Sequence, residues 1–477
     1  MLITIKNFGP IGNLTFDIDK DLNLIYGKNA IGKSYATYCL YNLIKNIKDK
    51  SPRHRYFSTD FIDKHPLYNK ILNKIKLVRE TSPQNITKIY KDIINEELST
   101  IILETFNNSL LNTFSSLENL KNKISNKHFS IEIIISENEK ILISYDGKSI
   151  SLDYENNFFD NIELHYKNTK TTKYSLYFNG KIVYGKPNEE LFLYEFQSHI
   201  SGTLLDILNK LDNNIRDVYY LPASRSGLYQ ALNAFTPIIA ELTQSRFFIQ
   251  NKSIELPSLS EPLSDYFIDL STLEKKNINK DFQDIIDILQ KEILKGNVDY
   301  NDKTKRIIYR PEKVNIDLNL SEASSMVAEL SPLVLYFKHI INHKYSALKN
   351  NRFFIDSYSY RKYNRGYDIL FIEEPEAHLH PEIQVKLMEL FVKLTGKRLK
   401  IFITSHSNYM FNKLNNLIIK KDISPEIVKV YHLVSEPKVG SINGKMEVSE
   451  DGINDENFQD ISEGLYMERL NYYSSND

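Results

Sequence analysis

The sequence predicts an α/β protein with a mixed β-sheet, an antiparallel β subdomain and a helical lobe. Three observations predict this class. Short apolar strands at 22–26, 367–372 and 399–403 each run into a polar or glycine-rich loop, as buried strands of an open sheet do. Residues 129–186 alternate apolar and polar side chains, which is typical of antiparallel strands. A mainly helical stretch at 228–300 supplies the lobe.

Composition and charge exclude several classes of protein. The 477 residues are 42% hydrophobic and 25% charged, which is typical of a globular chain with about two or three domains. The 60 Lys+Arg and 61 Asp+Glu residues give a formal net charge of -1, so any contact with nucleic acid needs a local basic patch. A single cysteine, Cys39, excludes an internal disulfide framework and a cysteine-based zinc site. With neither a signal peptide nor a membrane-spanning apolar run, we expect a soluble cytoplasmic protein.

The chain opens with a predicted β-hairpin, a third strand and a glycine loop. Residues 1–6 and 14–18 alternate in the manner of strands on either side of the turn at 7–12. The apolar strand at 22–26 leads into the loop at 27–34, which precedes a segment of helical periodicity. This order of strand, glycine loop and helix is the context in which such loops bind phosphate.

The loop fits the pattern G-x-x-x-x-G-K-[ST], which surrounds nucleotide phosphates with backbone N–H groups at a helix N-terminus. Its glycines permit the tight turn. Lys33 is predicted to bridge the β- and γ-phosphates, and Ser34 to bind Mg²⁺. The predicted nucleotide-contacting residues of the loop are Gly27, Lys28, Asn29, Ala30, Ile31, Gly32, Lys33 and Ser34.

Two carboxylates and one histidine follow later apolar strands. Glu373 and Glu374 stand where the strand at 367–372 ends, at the edge of a parallel sheet where ligands bind. We predict that Glu373 holds Mg²⁺ and that Glu374 orients and deprotonates an attacking water. His406 follows the strand at 399–403 and is predicted to donate a hydrogen bond to the γ-phosphate.

The remaining elements complete the predicted order. An Asp146-Gly147 turn marks a hairpin inside the alternating stretch, and a helix with Pro381 in its first turn ends before Gly396. The other predicted elements are helices through 51–125, a strand at 218–221, strands at 305–310 and 315–320, an apolar helix running to 341 and a helix at 381–394.

Three motifs resemble those of the ABC-class ATPases of the SMC, RecF and OLD group. They are the glycine loop, the segment EEPEAHLHP at 373–381 and the segment TSHS at 404–407. The resemblance extends from residue 1 to about 420 and is strongest at the motifs, where the chain looks like the small prokaryotic AAA_15 and AAA_21 ATP-binding proteins. It implies an ABC/SMC-like P-loop head that binds ATP with Mg²⁺, in which two protomers sandwich two ATP molecules.

The resemblance also implies roles for residues outside these motifs. Ser324 and Ser325 would form the signature motif, which in this group contacts the γ-phosphate bound by the opposite subunit. Ser224 and Arg225 would occupy the nucleotide-contacting Q-loop position, although no glutamine stands there. Relatives usually have glycine after the paired serines, whereas this chain has Met326, so slow hydrolysis is expected.

Four regions are predicted on this basis. They are an ATPase lobe at 1–227 that includes a helical insertion at 51–125 and the antiparallel subdomain, a helical arm at 228–300, a second ATPase lobe at 301–420, and a C-terminal strand and helix extension at 421–477. About 70 residues follow His406, fewer than the TOPRIM nuclease domain of full OLD proteins requires, so no nuclease is expected in the chain.

Three functions fit the resemblance. The leading one is a switch subunit that dimerises, or forms a larger homo-oligomer, around ATP and controls a separately encoded effector, as in antiphage defence pairs. The second is a DNA-binding repair ATPase of the RecF or SMC kind, against which the neutral charge and the lack of a long heptad-patterned arm count. The third is a nucleotide-binding scaffold of low turnover, which the signature departure at Met326 suggests.

Overall fold

The structure of the protein is a computed structural model that describes residues 1–50, 67–231, 259–273, 280–302, 304–341, 366–454 and 466–468. Parts of all four predicted regions lie outside the described residues. They are the start of the helical insertion at 51–66, the segments of the arm at 232–258 and 274–279, residues 303 and 342–365 of the second ATPase lobe, and the C-terminal extension after 454 except for 466–468.

The described strands are, in chain order, β1 (Leu2–Phe8), β2 (Ile11–Asp17), β3 (Leu22–Gly27), β4 (Gln84–Asn85), β5 (Ser130–Ser136), β6 (Glu139–Tyr145), β7 (Ile150–Asn156), β8 (Ile162–Tyr166), β9 (Tyr174–Phe178), β10 (Lys181–Lys186), β11 (Ile215–Leu221), β12 (Gly296–Asn301), β13 (Arg306–Pro311), β14 (Leu318–Asn319), β15 (Tyr367–Glu373), β16 (Leu399–Ser405), β17 (Val428–Glu436), β18 (Gly440–Asn443), β19 (Glu447–Ser449) and β20 (Gly452–Asn454). The predicted opening hairpin and the strands predicted at 22–26, 218–221, 367–372 and 399–403 are confirmed.

The described α-helices are, in chain order, α1 (Lys33–Lys50), α2 (Tyr68–Leu77), α3 (Thr87–Phe114), α4 (Glu189–Asp212), α5 (Glu261–Ser271), α6 (Gln283–Asp287), α7 (Ser325–Leu335), α8 (Pro381–Leu394) and α9 (Asn408–Ile419). π-Helical turns at Ile288–Leu294 and Tyr336–Ile340 extend α6 and α7. Within the described ranges, none of the helices is both long and apolar enough to cross a membrane.

The largest sheet joins eleven strands in the order β11-β15-β16-β3-β17-β18-β2-β1-β5-β6-β7. The five strands from β11 to β17 run parallel to their neighbours. β18 pairs antiparallel with β17. The last five strands in the sheet order, β2, β1, β5, β6 and β7, each pair antiparallel with the next. The predicted α/β class and mixed sheet are therefore confirmed.

The central parallel strands bury both of their faces, which is why most of their residues are apolar. In β3, Ile25 belongs to the core shared with α1 to α4, whereas Leu24 belongs to a second core shared with α5 to α9. β15 repeats this division, with Phe371 in the first core and Leu370 in the second. Helices thus lie on both faces of the sheet, and the ends of its strands are left for ligands.

The alternating stretch at 129–186 forms two sheets where one was predicted. β5, β6 and β7 extend the large sheet beyond β1, whereas β8, β9 and β10 form a separate four-stranded sheet with β4. The predicted hairpin turn is confirmed, since Asp146 Oδ1 accepts hydrogen bonds from the N–H groups of Lys148 and Ser149 at 2.8 Å.

Three elements between residues 187 and 320 differ from the prediction. α4 fills the interval between the alternating stretch and β11, where no helix was predicted. β12 lies at the end of the stretch that was predicted to be helical, because pairing with β13 overrides the weak strand propensity of its asparagines and aspartate. The strand predicted at 315–320 is reduced to the two residues of β14.

Residues of the predicted C-terminal extension lie at the centre of the large sheet. β17 pairs in parallel with β3, from Val428 opposite Leu22 to Leu433 opposite Gly27. β18 then pairs with β2, with Ser441 opposite Ile11. Through these two strands the parallel half and the antiparallel half form one continuous sheet.

Candidate active site

The carboxyl ends of β3, β15 and β16 bring the predicted site residues to one edge of the large sheet. Glu373 pairs with Thr404 between β15 and β16, and Thr404 pairs with Ile25 between β16 and β3. Because neighbouring parallel strands end at the same edge, the residues that follow each strand converge there. The loop at 27–34, the carboxylates and His406 therefore share one site.

The loop at 27–34 has a backbone that its sequence and its neighbours fix. Gly32 has a φ of +95°, and a Cβ at this position would lie 2.8 Å from Pro10 Cγ. Ala30 also takes a left-handed φ of +60°. Ser441 Oγ in β18 donates to the carbonyl of Ile31 at 2.5 Å. Pro10 and Ser441 thus contact the buried side of the loop. The side chains of Lys28, Asn29, Ala30 and Ser34 are exposed on its other side.

The ammonium of Lys33 lies inside this loop. Its Nζ donates to the carbonyls of Gly27 and Lys28, each at 2.9 Å, and lies 3.2 Å from His406 Nδ1. Only 6% of Lys33 is exposed. These contacts place the positive charge where the predicted phosphates would lie.

Burial lowers the pKa of Lys33 to about 8, against the opposing effect of three nearby carboxylates. These are, in order of their effect, Glu374, Glu376 and Glu373. Strongly perturbed pKa values cluster at functional sites, so the shift of Lys33 among these three acids supports a functional role for the cluster.

His406 bridges Lys33 and Glu374. Its Nε2 lies 3.0 Å from Glu374 Oε1. Because an ammonium can only donate, His406 Nδ1 accepts from Lys33, and the Nε2–H of the neutral ring donates to Glu374. This hydrogen bond from His406 lowers the pKa of Glu374, which keeps the carboxylate ionised at neutral pH.

Glu376 fixes the position of His406, a role that the sequence analysis missed. Its Oε1 accepts from Ser405 Oγ at 2.7 Å and from the backbone N–H of His406 at 2.6 Å. A carboxylate that accepts two such bonds restrains the backbone from which the imidazole extends. The signal was present in the EEPEAH segment, where a third acid follows the pair by two residues.

Glu373 has the environment of a cation ligand. It is 4% exposed, and its Oε1 is buried without a hydrogen-bond partner among the described residues. Burial raises its pKa, although bonds from the hydroxyls of Ser34 and Tyr220 and from the Ala223 N–H act in the opposite sense. Carboxylate and hydroxyl oxygens are what Mg²⁺ prefers, and Mg²⁺ takes its other ligands from phosphate and water. Ser34 and Glu373 therefore fit the predicted cation.

The signature serines lie at the exposed start of α7. Ser324 is the N-cap residue, whose side chain accepts from the Val327 N–H at 3.5 Å, and Ser325 is the first helical residue. Both are exposed, and among the described residues no hydrogen bond joins them to the loop at 27–34. Met326 is partly buried and packs against the second core instead of covering the helix terminus.

Arg225 does not have the nucleotide-contacting position that the sequence predicted but lies behind the site carboxylates. The side chain is 2% exposed, and its Nη1 donates to the carbonyls of Pro222 at 3.0 Å and Glu373 at 2.9 Å. Its Nε donates to the carbonyl of Glu329 at 3.0 Å. With its donors facing protein carbonyls, Arg225 supports the backbone behind the site and leaves no accessible face for a nucleotide.

Comparisons with known proteins give a family and several distant folds. A family model described as "AAA ATPase domain", AAA_15, matches residues 1–411. An SMC head bound to the C-terminal winged-helix domain of ScpA matches with a TM-score of 0.38 and 12% identity, covering 94% of this chain and 98% of that one. An SMC head domain from Thermotoga maritima has a TM-score of 0.29 and 12% identity, covering 93% of this chain and 98% of that one. An SMC head with an extended coiled coil, bound to a ScpA domain from Pyrococcus furiosus, has a TM-score of 0.31 and 12% identity, covering 98% of each chain. The search of curated proteins gave no significant match.

Proposed function

The chain belongs to the AAA ATPase domain family AAA_15, and from this premise we propose that it binds Mg-ATP at the loop at 27–34 and hydrolyses it within a dimer. The observation that carries the proposal is the hydrogen-bonded chain from Lys33 through His406 to Glu374 at the carboxyl edge of β3, β15 and β16. It combines a phosphate-binding cation with an ionised carboxylate, which are the two charges that phosphoryl transfer to water requires.

ATP binding replaces the bonds that Lys33 makes to its own loop. The phosphates lie against the backbone N–H groups of the loop and the N-terminus of α1, which carries partial positive charge. Lys33 Nζ turns from the carbonyls of Gly27 and Lys28 to the β- and γ-phosphates. Burial of this ammonium favours a negatively charged partner over an empty site.

Ser34 and Glu373 would hold Mg²⁺ in this state. When bound, Mg²⁺ neutralises phosphate charge and draws electrons from the phosphorus. The buried Oε1 of Glu373, which has no partner among the described residues, is the oxygen best suited to the cation.

Glu374 and His406 serve the attacking water. Glu374 is ionised at neutral pH, so it orients the water and takes one of its protons as the water oxygen bonds to the γ-phosphorus. The bond from the γ-phosphorus to the bridging oxygen breaks, and ADP and phosphate leave. His406 turns its Nε2–H from Glu374 to a γ-phosphate oxygen, which leaves the Glu374 carboxylate free to accept from the water.

The exposed serines of α7 support a dimer. Ser324 and Ser325 stand at a helix N-terminus, where N–H groups and the helix dipole attract anions. Among the described residues no hydrogen bond joins them to the loop of their own chain, and we propose that they contact the γ-phosphate bound by a second copy. Two ATP molecules would then be enclosed between two protomers.

The first experiment measures the oligomeric mass of Glu374→Gln with and without Mg-ATP. Removing the carboxylate stops hydrolysis and leaves the binding groups in place, so bound ATP should accumulate and shift the mass to a dimer or a larger homo-oligomer. The matched control is the double variant Lys33→Ala/Glu374→Gln, which should stay unchanged on adding ATP. If the oligomeric mass of Glu374→Gln is the same with and without Mg-ATP, the proposed ATP-enclosing dimer is contradicted.

We extend the proposal to a separately encoded effector protein, controlled by the ATP-bound dimer in antiphage defence. This step is supported by the motif resemblance to ATPases of the OLD group alone. Phage challenge of cells that express the chain with and without a candidate effector protein tests it, with Lys33→Ala as the control. ATP-dependent cleavage of DNA or RNA by the purified chain alone, lost in Lys33→Ala, would contradict a separate effector.

A further inference from the structure

Arg225 and Glu329 form a buried link between the turn after β11 and α7. The guanidinium lies 3.4 Å from the Glu329 carboxylate, and their side chains are 2% and 0% exposed. On one side Arg225 follows β11 and contacts the carbonyl of Glu373. On the other side Glu329 belongs to α7, the helix of the signature serines. Buried pairs of this kind persist only where every donor and acceptor is satisfied.

The Glu329 carboxylate joins α7 to the turn after β11 through several bonds. Its Oε1 accepts from Ser226 Oγ at 2.5 Å and from the Ser226 N–H at 3.3 Å, and its Oε2 accepts from the Arg225 N–H at 3.1 Å. Ser325 lies four residues before Glu329 on the same helix, about 6 Å along its axis at 1.5 Å per residue. Because a helical turn is stiff, a shift of Glu329 moves the exposed serines.

The opposite end of the link is the backbone of the two site carboxylates. Glu374 has a left-handed φ of +40°, which a non-glycine residue keeps only where its surroundings fix it. Its carbonyl lies 3.5 Å from Arg225 Nη2, and its N–H donates to the carbonyl of Thr404 at 3.0 Å. The direction of the Glu374 carboxylate therefore depends on both Arg225 and β16.

We infer that Arg225 and Glu329 are positioning residues that make the signature serines and the Glu373-Glu374 pair move as one unit. The inference rests on the proposed dimer, in which the serines contact the partner's nucleotide and the carboxylates act on the chain's own. The link then couples the two nucleotide sites: docking of Ser324 and Ser325 on one ATP sets the orientation of Glu374 at the other.

The test substitutes Arg225→Lys. Lysine keeps the charge but offers one nitrogen, which cannot reach the carbonyls of Glu329, Pro222 and Glu373 together. We expect ATP affinity of the monomer to stay within about threefold, because the phosphate loop is untouched. We expect kcat to fall by about tenfold or more and the ATP-dependent dimer of Glu374→Gln to be lost, since coupling between sites is typically worth 5- to 150-fold.

A second buried arginine supplies the matched control. Arg216 pairs with Asp368 at 2.6 Å, with side chains 3% and 1% exposed, at the opposite ends of the same two strands. Arg216→Lys disturbs a comparable buried pair away from the site. We expect it to lower the melting temperature as much as Arg225→Lys does and to leave the ATP-dependent dimer and kcat near those of the parent protein.

Glu329→Gln tests the same link if Arg225→Lys fails to fold. It keeps the shape of the side chain and removes the charge that faces Arg225, so it should also lose the ATP-dependent dimer with ATP affinity kept. Retention of kcat and of the dimer in a folded Arg225→Lys or Glu329→Gln protein would overturn the inference, and so would equal losses in Arg216→Lys. If the oligomeric mass of Glu374→Gln does not change on adding Mg-ATP, the proposed dimer is contradicted, and so is the inference that rests on it. This measurement comes before any Arg225 variant is made, so it distinguishes failure of the proposed function from failure of the link.

Discussion

At the scale of single residues, the two adjacent carboxylates have opposite environments. Glu373 is the last residue of a buried strand, and its pKa is raised. Glu374 lies one residue beyond, beside His406, and its pKa is lowered. Two acids whose pKa values are pushed apart divide the work of a site, because one gains most from a cation and the other stays available as a base.

The role of Glu376 gives a prediction at this scale. In Glu376→Ala the backbone of His406 loses its acceptor, so we expect kcat to fall by roughly tenfold to a hundredfold, as misplacement of a positioned group does. The KM for ATP should change little, because Lys33 and its loop remain. Steady-state kinetics with Mg-ATP measure both.

Glu376→Gln is the control for this prediction. Its amide oxygen can still accept from Ser405 Oγ and the His406 N–H, so kcat should stay close to that of the parent protein. If glutamine and alanine lower kcat equally, the charge of Glu376 matters and the positioning role is contradicted.

At the scale of secondary-structure elements, local patterns predicted some elements well and others poorly. α8 has the predicted bounds, because Pro381 starts it, the His380 side chain accepts from the Glu382 N–H as the N-cap, and Gly396 takes a φ of +79° just after it. The glycine loop and the carboxylates of the site were predicted from equally local patterns. The role of Arg225 depends on partners from other elements, so no spacing in the sequence could indicate it, whereas Glu376 was visible in the sequence only as a third acid beside the pair.

Sheet membership was predicted least well, for a physical reason. β7 and β8 alternate in the same way, yet one extends the large sheet and the other joins the small sheet with β4. Alternation fixes which face of a strand is buried and leaves its neighbour undetermined. Only contacts between distant parts of the chain decide this pairing.

α3 allows a prediction about pH. Glu97 is 4% exposed on the buried side of this helix, and burial, with a smaller effect of Glu96, raises its pKa from 4.5 to about 7. An acid whose pKa is raised on folding contributes stability that is present below its ordinary pKa and lost as the pH rises through about 7. Glu97→Gln cannot ionise, so we expect it to be more stable than the parent protein at about pH 8.5, by at most about 3 kcal/mol.

Urea unfolding at about pH 5.5 and about pH 8.5 measures this difference, which should grow with pH. Glu96→Gln is the control, since Glu96 is exposed on the same helix and should show little change at either pH. A difference between Glu97→Gln and the parent protein that is the same at both values would contradict the prediction.

α7 allows a prediction about the signature motif. Because the Met326 side chain packs against the second core, we expect Met326→Gly to leave the ATP-dependent dimer and kcat unchanged. It should lower the free energy of unfolding by about 1–2 kcal/mol through lost packing and lower helix propensity. Turnover and thermal unfolding of the two proteins measure this. A rise in kcat above about fivefold would show instead that Met326 obstructs the signature motif.

At the scale of the whole molecule, the sheet depends on residues beyond the matched family domain. The family model ends at 411, whereas β17 and β18 lie at 428–443 and stand between β3 and β2. Removing them leaves the two halves of the sheet without a connection and exposes two long strand edges, which favours aggregation.

A chain that ends at residue 420 should therefore fail to fold. We expect it to be insoluble or to show no cooperative thermal transition, as judged by circular dichroism. A chain that ends at residue 454 is the control, because it keeps every strand of the described sheets, and it should unfold cooperatively. Soluble, cooperative behaviour of the shorter chain would contradict the structural role of β17.

The pairing of β3 with β17 also has a consequence for how the protein is made. Its two strands are separated by roughly 400 residues, so at 5–20 residues per second a ribosome needs roughly 20–80 s to deliver the second after the first. For nearly all of this time the loop at 27–34 has been synthesised but neither of the strands that flank β3, which are β16 and β17, exists yet. In the nascent chain the apolar strand β3 thus stays unpaired until late in translation. We expect that a chaperone at the ribosome must shield it from aggregation until then.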